Sequence, residues 1–470
     1  MARILLLNPP HPEGKGFTRE GRCTQDAGIW GTQWPPLSLT TSAAMLEADG
    51  HHARVMDCPA SGMTTTKLLN LINRYDPDTV LWSVATPTFS DDLALGQHIK
   101  QVRPQTVTGV LGTHATAFPA QVLSQPGIDA VIRGEPETTI CRLIQHEITD
   151  WATVSGLSWR DRKAGHIRHN PDRPFMPPEE IPFPAWECLD LSPYRLPLKG
   201  RPFLMVAPIR GCPYPCSFCT AALYYGPKLR KRPVEQVLAE IRRNVSRFRI
   251  RDIFFWADTF TADRDYVAAL CQGMKKQDLN ISWACNSRVD TVDPDLLTMM
   301  RKAGLWMISF GIESGSNTVL KRNGKGITVE QSERAVRAAH ACGIRTSGHF
   351  IAGLPGETEH RMSQTLDLAL RLPLDIAQFY AAAPFPGTRL YEEAVARGWL
   401  SPDKGFSQDR AVLELPGLPA ERVDAFIAKA YQRFYSRPGT LKRLATLLTP
   451  GGFADIRKNV SRILRLRIRG

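Results

Sequence analysis

The chain has 470 residues, 43% apolar and 22% charged, a globular composition that predicts two or three domains and not a single core. No run of eighteen apolar residues and no charged-then-apolar leader occurs, so neither a membrane span nor secretion is expected, and the ten cysteines read as reduced cytoplasmic thiols. The formal charge of +13 leaves nucleic acid, anionic membrane and acidic substrates open, but eight Lys and Arg against one Asp fall between Leu441 and Gly470, so much of the excess sits in the tail.

Residues 1–148 alternate β-rich runs, at 2–7, 53–57, 79–84, 107–111 and 130–133, with amphipathic stretches. The alternation predicts an α/β domain with a doubly wound parallel sheet, where ligands bind at the carboxyl ends of strands. The candidate ligand loops are Asn8-Pro9-Pro10, the segment from Thr86 through Thr88, Gly112-Thr-His114 and Gly134-Glu135-Pro-Glu137. None is a G-x-G-x-x-G loop opening a helix, so NAD and FAD are not expected. A purely structural or regulatory domain fits the same pattern. Asp49-Gly-His-His reads as a helix-ending turn.

Residues 149–199 read as a connector, with a small hairpin near 156–168 and a proline-rich run that stiffens the crossing between domains. From 200 to 400 six β/α units follow, with strands near 204–209, 253–257, 281–286, 306–312, 345–351 and 376–382. Six units predict an open partial barrel with its chemistry at the carboxyl ends of the strands. After the first strand comes Arg210-Gly-Cys-Pro-Tyr-Pro-Cys-Ser-Phe-Cys-Thr220, which sets Cys212, Cys216 and Cys219 at C-x3-C-x2-C spacing. Three thiolates in one tight loop suit a corner of an iron–sulfur cube. A closed zinc site completed by a distant ligand, or ordinary buried thiols, also fits the spacing alone. His349 and Tyr380 fall on later strands and are candidate proton donors or substrate contacts. Residues 401–470 predict a helical C-terminal region, with one helix at 419–433 covering the barrel. A second is basic and amphipathic, with Phe453, Ile456, Val460, Ile463 and Leu464 among arginines and lysines, and suits an anionic membrane surface.

The cysteine loop resembles the signature of the radical S-adenosylmethionine (SAM) enzymes, and the later motifs follow in that family's order. By this resemblance the three cysteines hold a 4Fe–4S cluster whose fourth iron binds SAM, and an electron from the cluster cleaves SAM to a 5′-deoxyadenosyl radical. Asp252-Ile-Phe-Phe-Trp-Ala-Asp258 resembles the segment holding the SAM amino group. Many relatives have two adjacent acids there; Ala257 leaves Asp258 alone. Phe310-Gly-Ile-Glu-Ser314 resembles the fourth-strand segment, implying Glu313 and Ser314 near the ribose or methionyl end. Ile351-Ala-Gly-Leu-Pro-Gly resembles the fifth, whose backbone packs on adenine, and Phe385-Pro-Gly-Thr388 the turn closing the sixth. Phe218 within the loop is expected to touch SAM, and Arg288 to pair with its carboxylate or make a surface ion pair.

Ahead of such a barrel, residues 1–148 resemble the Rossmann-like, flavodoxin-like cobalamin-binding domain of the family's largest branch. The resemblance implies contacts from Asn8, Pro9, Thr86, Thr88, Gly112, His114, Gly134 and Glu135. The D-x-H-x-x-G loop by which mutases give cobalt a histidine is not matched, and His114 suits a polar contact to the corrin as well as it suits a cobalt ligand; the resemblance implies cobalamin without a protein histidine on the metal. The implied function is C-methylation of an unactivated carbon, in a lipid, isoprenoid, tetrapyrrole or other secondary metabolite. Oxidative cyclisation or rearrangement with the same cofactors remains open, as do a tRNA methylthiotransferase and a non-enzymatic metal- or nucleic-acid-binding protein. The expected partners are a small-molecule substrate, an electron donor such as flavodoxin or ferredoxin, and a membrane surface met peripherally from the cytoplasm; nucleic acid is not expected.

Overall fold

A computed structural model describes residues 1–447 except 12, 15, 22, 27–31, 147, 162, 197–198, 401–407 and 409. The basic helix expected after Pro450 lies outside the described residues. In the N-terminal region the strands are β1 (Arg3–Asn8), β2 (Phe17–Glu20), β3 (Cys23–Asp26), β4 (His52–Asp57), β5 (Thr79–Ser83), β6 (Val107–Leu111), β7 (Ala130–Ile132), β8 (Leu157–Asp161) and β9 (His166–His169). The main sheet runs β4-β1-β5-β6-β7-β8-β9. Its first five strands are parallel, in the 2-1-3-4-5 order of flavodoxin-like folds, whose ligand crevice opens between the first and third. The hairpin near 156–168 adds β8 and β9 antiparallel to β7.

A parallel strand covered on both faces needs apolar residues at every position, not at alternate ones. Strand β1 meets that demand with Ile4 and Leu6 in one apolar cluster and Leu5 and Leu7 in another. Helices Leu37–Ala48 and Glu137–Gln145 cover the first face through Leu39, Ala43, Ile140 and Leu143. Helices Thr65–Tyr75 and Phe89–Val102 cover the second through Leu68, Ile72, Leu93 and Ile99.

The second region holds β10 (Phe203–Val206), β11 (Ile209–Arg210), β12 (Arg230–Lys231), β13 (Asp252–Phe255), β14 (Ser282–Ser287), β15 (Leu305–Glu313), β16 (Arg345–Ala352) and β17 (Ile376–Ala381). Strands β10, β13, β14, β15, β16 and β17 form one parallel sheet in chain order, the open six-unit barrel. Helix Val234–Phe248 buries Val237, Leu238 and Ile241 against it. On the other face Trp34 reaches in from the N-terminal region, its ring centroid 4.6 Å from Phe254 and 5.5 Å from Phe203. Trp186 and Tyr194 of the connector join the same cluster. The two regions therefore share an apolar core and do not merely abut.

Helix Ala420–Tyr435 covers the open edge of the barrel. The Tyr435 hydroxyl donates to Ala377 O at 2.8 Å and accepts from Ala377 N at 3.2 Å, while the Tyr431 hydroxyl accepts from Phe379 N at 3.2 Å. Side chains thus satisfy backbone groups that an edge strand would leave open to another chain.

Candidate active site

The cysteine loop leaves the barrel through a narrow neck. There β11 pairs antiparallel with β12, Ile209 facing Lys231 and Arg210 facing Arg230. Gly211 has φ +88°, and a Cβ there would stand 2.1 Å from Lys228 O, so a residue with a side chain would force the loop open. Cys212, Cys216 and Cys219 are partly exposed and take part in no disulfide. Ala221 N donates to Cys219 Sγ at 3.5 Å, and Cys212 Sγ lies 3.8 Å from Thr259 Oγ1. Burial pushes the Cys216 thiol up, against the pull of Lys325 and Arg288. Among the described residues no three His, Cys, Asp or Glu side chains are grouped to hold a single metal ion. The three cysteines instead line one cavity of about 200 Å³, the arrangement a multi-iron cluster uses when each thiolate takes a different iron.

The same cavity gathers most of the residues expected near SAM: Phe218, Asp258, Arg288, Glu313 and Ile351, together with His349 and Tyr380. They arrive from the carboxyl ends of different strands, as the barrel topology requires. Glu313 is held in an uncommon backbone state for a residue with a side chain, φ +64°, where the β15–β16 register shifts between Gly311 and Glu313. Its carboxylate Oε1 accepts from Lys325 Nζ at 2.7 Å, and both side chains are buried. A Cβ on Gly311 would stand 2.6 Å from Glu313 Oε1 and 2.9 Å from Lys325 Nζ, so this glycine makes room for the pair.

Arg288 is buried and held twice. Its Nε and Nη2 each donate to Asp290 at 2.9 Å, and Nη2 donates to Lys325 O at 2.8 Å. The guanidinium stacks 3.6 Å from the Tyr214 ring centroid, tying the third strand's exit to the cysteine loop. His349 and Tyr380 stand on adjacent strands with rings parallel to within 3°, and the Tyr380 hydroxyl is 3.4 Å from His349 Nδ1. Ser314 does not line the cavity. It is fully buried, its Oγ 3.2 Å from Thr365 Oγ1 and accepting from Ser316 N, which fixes the turn after β15. Sequence reasoning missed Lys325, Asn286 and Ser309 of this lining, and also Gln25, which enters from β3 of the other region.

At the carboxyl edge of the first sheet, three expected cobalamin contacts belong to a buried polar network around Arg19. Arg19 Nη1 donates to Asn8 Oδ1 at 2.9 Å and to Pro9 O at 3.1 Å; its Nε donates to Thr88 Oγ1 at 3.3 Å. Asp92 Oδ1 takes Nη2 at 2.8 Å. Asn8 Nδ2 donates to Asp57, whose carboxyl burial pushes up to about 6 and which also accepts from the Tyr194 hydroxyl. This network lies at the carboxyl ends of β1 and β4, beside the segment that follows β5. Beside it Thr86 Oγ1 lies 3.1 Å from His114 Nδ1, while His114 Nε2 is buried with no hydrogen-bond partner. Burial pulls the His114 pKa down to about 4, so the ring is neutral near pH 7. Gly112 (φ +117°) lies against Val84 O, and Gly134 (φ +68°) faces open space. Glu135 accepts from Arg230 and from Met176 N and lies 3.4 Å from Arg210. An unpartnered imidazole nitrogen beside a glycine-lined edge fits a bound corrin, and helix Thr113–Ala117 packs on helix Ala221–Tyr225, next to the cysteine loop.

Cys58 and Cys141 lie in separate apolar clusters of the first sheet, and burial pushes both thiols up.

Two family descriptions match the chain: "Radical SAM superfamily" over residues 206–369 and "B12 binding domain" over residues 30–144. The chain is 33% identical over 447 residues to an uncharacterized methyltransferase of Pyrococcus horikoshii, covering 93% of this chain and 94% of that one. It is 29% identical over 403 residues to the anaerobic magnesium-protoporphyrin IX monomethyl ester cyclase of Rubrivivax gelatinosus, covering 83% and 70%. Among solved structures it resembles the radical SAM methyltransferase TsrM of Kitasatospora setae with cobalamin and a 4Fe–4S cluster bound. That likeness has a TM-score of 0.66 at 18% identity, covering 96% and 90%, and bears on the fold.

Proposed function

Because the chain belongs to the radical SAM superfamily, with a B12-binding domain ahead of the barrel, we infer that its reaction is methyl transfer to an unactivated carbon. It is an enzyme, and its cofactors are a 4Fe–4S cluster, SAM and cobalamin. Bound together, these supply one-electron chemistry and a transferable methyl group. The observation that carries the reading is a single cavity lined by the three cysteines, by Asp258 and Glu313, and by Gln25 from the other region.

In this reading the thiolates of Cys212, Cys216 and Cys219 hold three corners of the cluster. Asp258 meets the methionyl ammonium as a charge-assisted partner. Glu313, fixed by Lys325, faces the polar end of SAM, and the Ile351 strand supports adenine. Arg288 stiffens the cysteine loop through Tyr214. His349 and Tyr380 orient substrate or move a proton at the Tyr380 hydroxyl. Thr86, Gly112, His114 and Gly134 carry the corrin, with Asn8, Pro9 and Thr88 building the floor beneath. Trp34, Trp186 and Tyr194 exclude water between the regions.

The substrate we propose is a tetrapyrrole or a lipid-like molecule, supported by a relative named for a tetrapyrrole ester and by the basic amphipathic pattern after Pro450. The site of action is the cytoplasm, with a flavodoxin or ferredoxin as reductant. No described helix is long and apolar enough to cross a membrane. Peripheral contact through residues 453–469 predicts that truncation after Pro450 releases the protein from anionic vesicles in co-sedimentation; equal pelleting of both forms would remove the membrane from the account.

Anaerobic reaction with dithionite, methyl-labelled SAM and extracted tetrapyrrole and lipid pools tests the reaction type. Label in a product supports methylation. A product that loses hydrogens and carries no label would instead assign oxidative cyclisation.

A further inference from the structure

The neck of the cysteine loop carries an internal electrostatic conflict that carboxylates of the other domain answer directly. Arg210 and Arg230 are directly opposite each other in the two-residue ladder between β11 and β12. Like charges facing across an antiparallel pair repel, and here Arg210 is fully enclosed, its side chain 2% exposed. No carboxylate on the ladder itself answers them. The answer comes from the segment after β7, in the cobalamin-binding domain. Glu137 Oε1 accepts from Arg210 Nη2 at 2.6 Å. Glu135 takes both arginines: Oε2 accepts from Arg230 Nη1 at 3.0 Å, and Oε1 pairs with Arg230 Nη2 and lies 3.4 Å from Arg210 Nη1.

The surroundings make this a clamp and not a chance surface contact. Glu137 is fully buried at the first position of helix Glu137–Gln145, where the helix dipole favours a carboxylate. Arg230 also donates to Tyr225 O at 2.9 Å and to Met176 O at 2.8 Å, so its guanidinium binds the loop, the connector and the other domain at once. Glu20 of β2 joins from the same side, accepting from Ser38 and from the Tyr225 hydroxyl at 3.4 Å. Gly134, next to Glu135, is in the edge assigned to the corrin, and Cys212 is two residues from Arg210.

We propose that Glu135 and Glu137 are positioning residues that lock the neck of the cluster loop to the cobalamin-binding domain and so set the distance between the two cofactors. The inference rests on the cofactor reading above. A displacement of about 1 Å between reacting centres is enough to cost a large factor in rate, so a clamp at the neck governs reactivity without touching SAM, corrin or substrate.

The test is a distance measurement that needs no substrate. Holoenzyme reduced with dithionite holds two paramagnets, cob(II)alamin and the reduced cluster, whose dipolar coupling reports their separation by pulsed electron paramagnetic resonance. The wild type is expected to give one narrow distribution. Glu137→Gln, which leaves Arg210 only the longer contact to Glu135, and the milder Glu137→Asp, which keeps the charge but retracts it, are expected to broaden or lengthen it, with iron and cobalt content unchanged. Arg210→Met combined with Glu137→Gln removes both charges and is expected to narrow the distribution relative to Glu137→Gln alone. Cofactor-replete variants with the wild-type distribution would overturn the clamp. Wild-type protein lacking cobalt would overturn the cofactor reading itself, a distinguishable result.

Discussion

Lys325 Nζ donates to Glu313 Oε1 at 2.7 Å, and the two side chains are only 7% and 10% exposed. The pair is shielded from solvent, so removing one partner strands a buried charge, which costs about 3–5 kcal/mol where an exposed pair would cost under about 1. Lys325→Met is therefore expected to lower unfolding stability by about 3 kcal/mol and to weaken SAM binding with it. Gly311→Ala, whose methyl would press on both charged ends, should reproduce the binding defect. Anaerobic denaturation and equilibrium SAM binding read the two effects; wild-type values in both variants would make the pair incidental.

Asp258→Asn keeps the size of the side chain and removes its charge. A carboxylate facing an ammonium is worth about 1.5–3 kcal/mol, so SAM affinity should fall roughly 10- to 150-fold. Iron content is expected to stay constant, since Asp258 is not among the thiols of the loop. Unchanged affinity would take Asp258 out of the SAM site.

Much of this site was legible in the sequence because its chemistry is local. Cys212, Cys216 and Cys219 sit in one loop, and the strand-end motifs fall where the period of a β/α barrel puts them. The five parallel strands of the first sheet and the six of the barrel lie within a residue or three of the expected runs, because strands buried on both faces are uninterrupted apolar runs. What escaped was non-local. Lys325 lies in Arg-Asn-Gly-Lys-Gly, which reads as a turn, and reveals its role only when Glu313 folds back at positive φ. The β2–β3 hairpin is polar and four residues a strand, so Phe17-Thr-Arg-Glu20 looks like loop, yet it delivers Arg19 to the first sheet and Gln25 to the cavity. Ser314 shows the converse: a motif serine expected at SAM whose hydroxyl is used to hold a turn.

Glu357 predicts a pH dependence of stability. Its Oε2 accepts from Gly353 N at 2.6 Å and Leu354 N at 3.2 Å, but burial outweighs both bonds and pushes its pKa up from 4.5 to about 8. The folded chain thus holds a proton here that the unfolded chain releases above pH 4.5. The stabilising contribution is complete below that value and is lost as pH rises through about 8. Glu357→Gln mimics the protonated form, so its stability relative to wild type should rise by up to roughly 1.4 kcal/mol per pH unit across that window. Glu20, raised to about 7, titrates in the same window, but it does so in both proteins, so the difference between wild type and Glu357→Gln isolates Glu357. Parallel stability curves for the two proteins there would show that Glu357 does not hold the proton.

The measurement that bears most directly on the account is the metal content and ultraviolet–visible spectrum of anaerobically purified protein, beside a variant with Cys212, Cys216 and Cys219 all replaced by Ala. The account predicts about four irons and one cobalt per chain in the wild type, the iron–sulfur absorption superimposed on that of cobalamin. The variant should lose the iron and keep the cobalt, because the corrin is carried by the first sheet and the cluster by the barrel. Wild-type protein with zinc alone, or with about eight irons and no cobalt, would contradict the account.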